Sequence, residues 1–337
     1  MNQTSINGTG TGLLHARALS RLAPDNLLDQ SGLDGWSFSE GPVWAHFDRR
    51  SDQTRRWLAE RSGLDATVLD AMLAEDTRPR LLTRGEGAVV ILRGVNLNPG
   101  AEPDDMISLR MWVDGDRLIS MRFPKLAAVN DVKNQVDERR VPTTPGRLLA
   151  ELALALADRM APVIGNIREL LDDFEDRALD GDVDSVQSEL GPIRRQIITI
   201  RRYLAPQHEV LYRSAELDAR WLGDEARVML NEAADRTRRF TEDLDALRDR
   251  AVFIQEELMA RQSQQMNKTM YLLSMVATVF LPLGFVTGLL GINVAGMPGT
   301  DWSLAFWVVV GLLVVLTGVE LWLIRRWGLL NSGRGSS

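Results

Sequence analysis

From Tyr271 to Thr300 the chain carries no charged residue, and its apolar run holds from Tyr271 to Ile292. That is long enough for a helix to cross a hydrocarbon core of ~30 Å. Asn293, Gly296, Pro298 and Gly299 break the run, and Asp301 is the next charge. A second uncharged run extends from Trp302 to Val319 and continues past Glu320 to Arg325 and Arg326. Two spans joined by so short a loop form a helical hairpin, because backbone polar groups in lipid need partners within the segment. The alternative is a helical hairpin buried in a large soluble domain. Adjacent apolar runs of this length are rare outside membranes, so the spanning reading is preferred.

Charge sets the orientation. Arg261 and Lys268 precede the first span, Arg325 and Arg326 follow the second, and the connecting loop has only Asp301. The positive-inside rule then puts both termini in the cytoplasm. Trp302 and Trp307 would mark the outer interface, Trp322 and Trp327 the inner one. The net charge of −7 over 337 residues argues against a nucleic-acid partner, which selects basic faces. There is no Cys, which excludes thiolate metal sites and cysteine nucleophiles. His15, His46 and His208 are far apart in sequence. No nucleophile–base pair or metal triad appears, so an enzyme is not expected.

The rest reads as an α+β region feeding a stalk. Residues 1–35 are expected to be a flexible tail; Gly8 to Gly12 lacks the strand and the Gly-Lys-Ser/Thr of a phosphate loop. Residues 36–140 read as an α/β subdomain with a largely antiparallel sheet. Its strands are expected near 41–48, 79–83, 87–95, 106–113 and 117–123. Helices are expected over 52–61 and 66–74, and a hairpin at Asp114-Gly115. His46 falls on a strand and, as a lone His, is read as structural. Residues 141–237 carry two long antiparallel helices. The first starts at Thr144-Pro145 and ends at Asp180-Gly181-Asp182. The second should kink at Pro206. In the stalk, 238–269, Phe240, Leu244, Leu247, Ala251, Ile254 and Leu258 form a heptad-like seam. With no breaker between Thr237 and Pro282, one helix is expected from about Asp235 into the first span, ~80 Å or more in length. It would need support from the preceding helices and from other copies of the chain. The first span is taken as 270–293, the loop as 294–301, the second span as 302–326 and the tail as 327–337.

The loop reads Gly291-Ile292-Asn293-Val294-Ala295-Gly296-Met297-Pro298-Gly299. This resembles the CorA-type divalent-cation transporters, whose first transmembrane helix ends in Gly-Met-Asn. Ile292 stands in place of the Met. That change, with the Gly-Met-Pro-Gly that follows, resembles the zinc-transporting ZntB branch of the family. Phe280-x-Pro282 and Thr287-Gly288-x-x-Gly291 match the first-helix pattern. The resemblance covers the hairpin closely and the remainder by layout. It implies a homopentameric funnel in a bacterial inner membrane, with the pore lined by the first span. Asn293 would sit at the outer mouth and meet the metal through its hydrating water. Met270, Leu273, Leu281 and Gly284 fall on the family's pore positions. Gly284 replaces a usual Thr, which puts a midpore polar ring in doubt. Leu273 and Leu281 would be apolar constrictions.

One hairpin encloses no lumen, so a pore needs several copies around an axis. Gly284-x-x-x-Gly288 fits either pore lining or close helix packing. Amide oxygens suit hydrated ions, whereas dry Zn²⁺ prefers His and Cys. Asp243, Asp245, Asp249, Glu256 and Glu257 fit solvated faces paired with Arg239, Arg248 and Arg250. The second reading, in which Asp249, Glu256 and Glu257 sense cations at the axis, is the less favoured. Glu320 is a functional candidate as an intramembrane carboxylate, or else an interfacial partner of Arg325. Asp301 at the outer mouth fits a steering charge and a cap of the second span equally well.

Three functions are open. The first is a divalent-cation transporter carrying Zn²⁺, with Co²⁺, Ni²⁺ or Cd²⁺ as weaker substrates; the zinc branch is associated with coupling to the proton gradient. The second is a magnesium or cobalt channel of the same build. The third, of another class, is a membrane-tethered sensor or scaffold, which would not need Gly-Ile-Asn at a span end. No cofactor is expected.

Overall fold

The computed structural model describes residues 12–21, 25–75, 78–139, 143–292 and 302–326. The chain divides into two units, residues 1–256 and 257–337.

The first unit is built on a seven-stranded sheet. Its strands are β1 (Leu13–Ala18), β2 (Leu27–Leu28), β3 (Val43–Asp48), β4 (Arg80–Arg84), β5 (Gly87–Gly94), β6 (Ile107–Val113) and β7 (Arg117–Arg122). Their order is β2-β1-β3-β7-β6-β5-β4, antiparallel except for the β3–β7 pair. The hairpin at Asp114 forms because that side chain organises its own turn. Oδ1 accepts from the backbone N–H groups of Asp116 and Arg117 at 3.0 and 2.9 Å. Oδ2 accepts from Trp112 Nε1 at 2.8 Å.

The helices are α1 (Gln30–Asp34), α2 (Asp52–Glu60), α3 (Ala66–Leu73), α4 (Ala127–Glu138), α5 (Pro145–Leu179), α6 (Val183–Ala215), α7 (Asp224–Leu290) and α8 (Ala305–Arg326). Both sheet faces are covered. Trp44, Val90, Leu92, Leu109 and Met111 pack with residues of α4 to α7, while Phe47, Val89, Ile91 and Met121 pack with Leu58, Val68 and Met72 of α2 and α3. Burial on both faces is why β5 reads Ala-Val-Val-Ile-Leu without alternation. Each such side chain stabilises the fold by about 1.5–3 kcal/mol.

α5 starts as the sequence predicts. Thr144 Oγ1 accepts from the N–H of Arg147 at 3.2 Å and Pro145 opens the helix. Its end is set by Gly181, whose φ of +95° suits only glycine. A Cβ on Gly146 would lie 2.4 Å from the carbonyl of Trp221, so the start of α5 admits no side chain there.

Several expectations need correction. Residues 12–35 are not a loose tail, since they supply β1, β2 and α1. α4 was not foreseen in the sequence. α6 is one helix through Pro192 and Pro206, so Pro206 does not interrupt it. α7 begins at Asp224, earlier than Asp235, and contains 67 residues. In its seam Leu244, Leu247, Ala251 and Ile254 are buried within a single copy of the chain. They are therefore filled by intrachain packing and leave nothing for a second copy. His46 is not alone, because β1 brings His15 beside it.

Candidate transmembrane hairpin and its exposed face

In the second unit α7 continues through the first apolar run, and α8 occupies the second. Each is long and apolar enough to cross a bilayer. Met275, Val279, Leu283 and Val286, at spacings of four, four and three, are half-buried. Leu283 shares an apolar groove with Val310, Leu313, Val314 and Thr317 of α8. The covered side of α7 is thus the side toward α8.

The sequence-predicted pore residues lie on the other side. Met270, Leu273, Leu281, Gly284, Gly288 and Gly291 recur at three, eight, three, four and three, and all are exposed. Leu281 is 73% exposed, which exceeds any of the covered positions. Ile292 is also exposed. A Cβ built on Gly284 or Gly288 would meet nothing within 4 Å. The Gly-x-x-x-Gly pair therefore does not serve packing inside the hairpin. It remains a close-approach surface for other helices. Asn293 and Asp301 lie outside the described residues, as do the rest of the loop and the tail from Trp327.

The hydroxyls of the first span turn inward on their own helix. Thr278 Oγ1 donates to the carbonyl of Ser274 at 2.8 Å, and Thr287 Oγ1 to that of Leu283 at 2.9 Å. Their protons are engaged, which leaves only acceptor lone pairs for any outside partner. Gly291 N–H is shared between the carbonyls of Thr287 and Gly288, at 2.9 and 3.2 Å, as at a helix end.

The stalk acids are mostly paired, some across helices and some along α7. Arg201 of α6 donates to Asp245 at 2.5 Å, and its guanidinium holds that carboxyl below the usual range. Arg168 of α5 meets Asp243 at 3.4 Å. Arg250, expected to serve the stalk acids, reaches Asp172 and Glu175 on α5. Arg239 meets Glu232. Asp249 pairs with the adjacent Arg248 at 2.8 Å, and Glu257 with Arg261 at 2.7 Å. Glu256 is exposed. Pairs this exposed are screened by solvent and contribute little. Among the described residues no group of three or more His, Asp or Glu is arranged to hold a metal ion.

Glu320 stands apart. It continues the half-buried face Leu313, Thr317 by one turn, with Ile324 buried a turn later. Both carboxylate oxygens are enclosed and have no partner among the described residues. The expected pairing with Arg325 is therefore not made, and Arg326 lies 5.1 Å above the Trp322 ring.

Comparison with known proteins places this architecture. A family model described as CorA-like Mg2+ transporter protein matches residues 39–326. The chain is 38% identical over 323 residues to a divalent cation transporter, CmaX, of Pseudomonas aeruginosa, covering 95% of this chain and 94% of that one. It is 35% identical over 288 residues to a zinc transport protein, ZntB, of Pectobacterium atrosepticum, covering 86% and 88%. The solved structure of the full-length CmaX protein superposes with a TM-score of 0.81 at 35% identity, over 95% of this chain and 99% of that one.

Proposed function

The chain belongs to the CorA-like Mg2+ transporter protein family, whose members move ions and are not enzymes, and from that membership we propose that it carries divalent cations through a homopentameric pore of the inner membrane, with Zn²⁺ the leading substrate. The observation that carries this reading is the stripe Met270, Leu273, Leu281, Gly284, Gly288, Gly291, which α8 leaves uncovered. An exposed helix face of this kind can line a lumen only when several copies surround it. Zinc is supported by the relative named for zinc transport and by Ile292-Asn293 followed by Gly-Met-Pro-Gly. Both termini would be cytoplasmic, from the basic residues that flank the spans.

Asn293 would present its amide to an ion that keeps its water, because the spans contain no His or Cys for a dry site. Leu273 and Leu281 would be the narrow apolar points. Coupling to the proton gradient would act at Glu320, the one acidic side chain of α8. The test is uptake into proteoliposomes loaded with a zinc-sensitive dye, with and without an inward pH gradient. Zn²⁺ uptake above that of Co²⁺, Ni²⁺ and Cd²⁺, with Mg²⁺ poor, is expected. Strong Mg²⁺ uptake without Zn²⁺ uptake would instead assign the Mg²⁺-transporting role that the family description carries. A Glu320→Gln protein whose uptake still responds fully to the gradient would exclude that residue from coupling.

A further inference from the structure

We infer that His15 and His46 form an acid-sensitive latch holding the β1–β2 edge onto the sheet of the first unit. The two are direct cross-strand partners between β1 and β3. Their rings lie 4.9 Å apart at 31°, and His15 also meets Trp44 edge-on at 4.5 Å. His46 is 1% exposed.

Hydrogen bonds anchor one side of the His46 ring. Ser120 Oγ accepts from Trp44 Nε1 at 2.8 Å and shares a hydrogen bond with His46 Nδ1, also at 2.8 Å, in which the hydroxyl can give or take the proton. The Nε2 atoms of both histidines are enclosed and have no partner among the described residues. The charged groups around them are Arg17 on β1, Arg122 on β7, and Lys133 and Asp137 on α4. The one carboxylate of that set is already engaged. Asp137 takes Arg17 at 2.5 and 3.1 Å and Lys133 at 2.7 Å. Asp48 acts on Arg122. A proton on either histidine therefore adds a cation beside other cations, which for His46 a hydrogen bond to the Ser120 backbone offsets only in part.

Burial first, and then positive charge nearby, hold both histidines well below their ordinary value: Arg17, Lys133 and Arg122 act on His15, and His15 and Arg122 act on His46. The proton is accommodated by moving the ring to water. β1 is the strand placed to do so, because among the described residues its only sheet neighbour outside β3 is β2, paired at two positions. Ordinary core histidines would behave differently, since acid would then destabilise the whole unit evenly.

The test is hydrogen exchange on the full-length protein in detergent, corrected for intrinsic rates. It compares about pH 7.5 with about pH 5.5, either side of the ordinary histidine value. The peptide over 13–18 should lose protection by roughly tenfold or more, while that over 87–94 keeps it. A His15→Phe, His46→Gln double variant should keep β1 protected at both values. Equal protection of β1 at the two pH values in the wild-type protein would overturn the latch. So would loss spread evenly over β1 and β5, and this wild-type comparison stands even if the double variant fails to fold.

Discussion

Asn293 lies beyond the last described residue of the first span, so its role rests on the sequence. Asn293→Ala should remove most of the metal flux while leaving assembly intact, because a lost amide ring cannot hold the ion's water shell. Normal flux at normal protein level would remove Asn293 from the path. Asp301 separates by salt. A steering charge makes Asp301→Asn slow uptake chiefly at low ionic strength, whereas a cap lost from the second span lowers thermal stability by ~1 kcal/mol at any salt. Residue-level signals differed in legibility. Thr144-Pro145 announced a helix start because cap chemistry is local. The meeting of His15 and His46 did not show, because a β1–β3 register is set by a whole sheet and not by neighbours in the chain. Nor could the cross-helix partner of Arg250 be read, since α5 lies far away in sequence.

Among the elements, β3 to β7 were legible from short apolar runs between turn residues. β1 and α1 were missed because Leu13–Ala18 mixes His and Arg into a strand and offers no clean alternation. α4 was missed because Val129, Val132 and Val136, its buried stripe, are weak helix formers and its remaining face is polar. The α7 seam was legible as a stripe, but its use was not. Its apolar spacing predicts contact with something, and the contacts are made within one copy of the chain. The Gly face of α7 behaves oppositely, being empty within the copy. Gly284→Val should therefore leave the thermal stability of the monomeric unit within ~0.5 kcal/mol, as for a surface change. It should nonetheless reduce flux or oligomer yield severalfold. A fall in monomer stability with unchanged flux would mean that the face packs inside the hairpin. Gly146→Ala is the contrasting case. Its Cβ would strike the Trp221 carbonyl at 2.4 Å, and a loss of about 1–3 kcal/mol is expected in thermal unfolding of the first unit.

Across the whole molecule, the family, the α+β first unit and the apolar hairpin follow from the sequence, because hydropathy and the Gly-Ile-Asn loop are both linear signals. The number of copies is not linear and must come from the exposed face. Five copies would carry a net charge of 5 × −7 = −35, a field that gathers cations and weakens with salt. Native mass measurement should find the pentamer; a monomer or dimer cannot enclose a channel. The central claim is that the uncovered face of α7 lines the permeation path. The absence of Cys makes the direct measurement clean. Single variants Leu281→Cys and Leu283→Cys, reconstituted in proteoliposomes, would be treated with a charged methanethiosulfonate reagent during Zn²⁺ uptake. The account predicts that modification blocks most uptake through Leu281→Cys and leaves Leu283→Cys, which faces α8, unaffected. Block at Leu283→Cys with none at Leu281→Cys would contradict it.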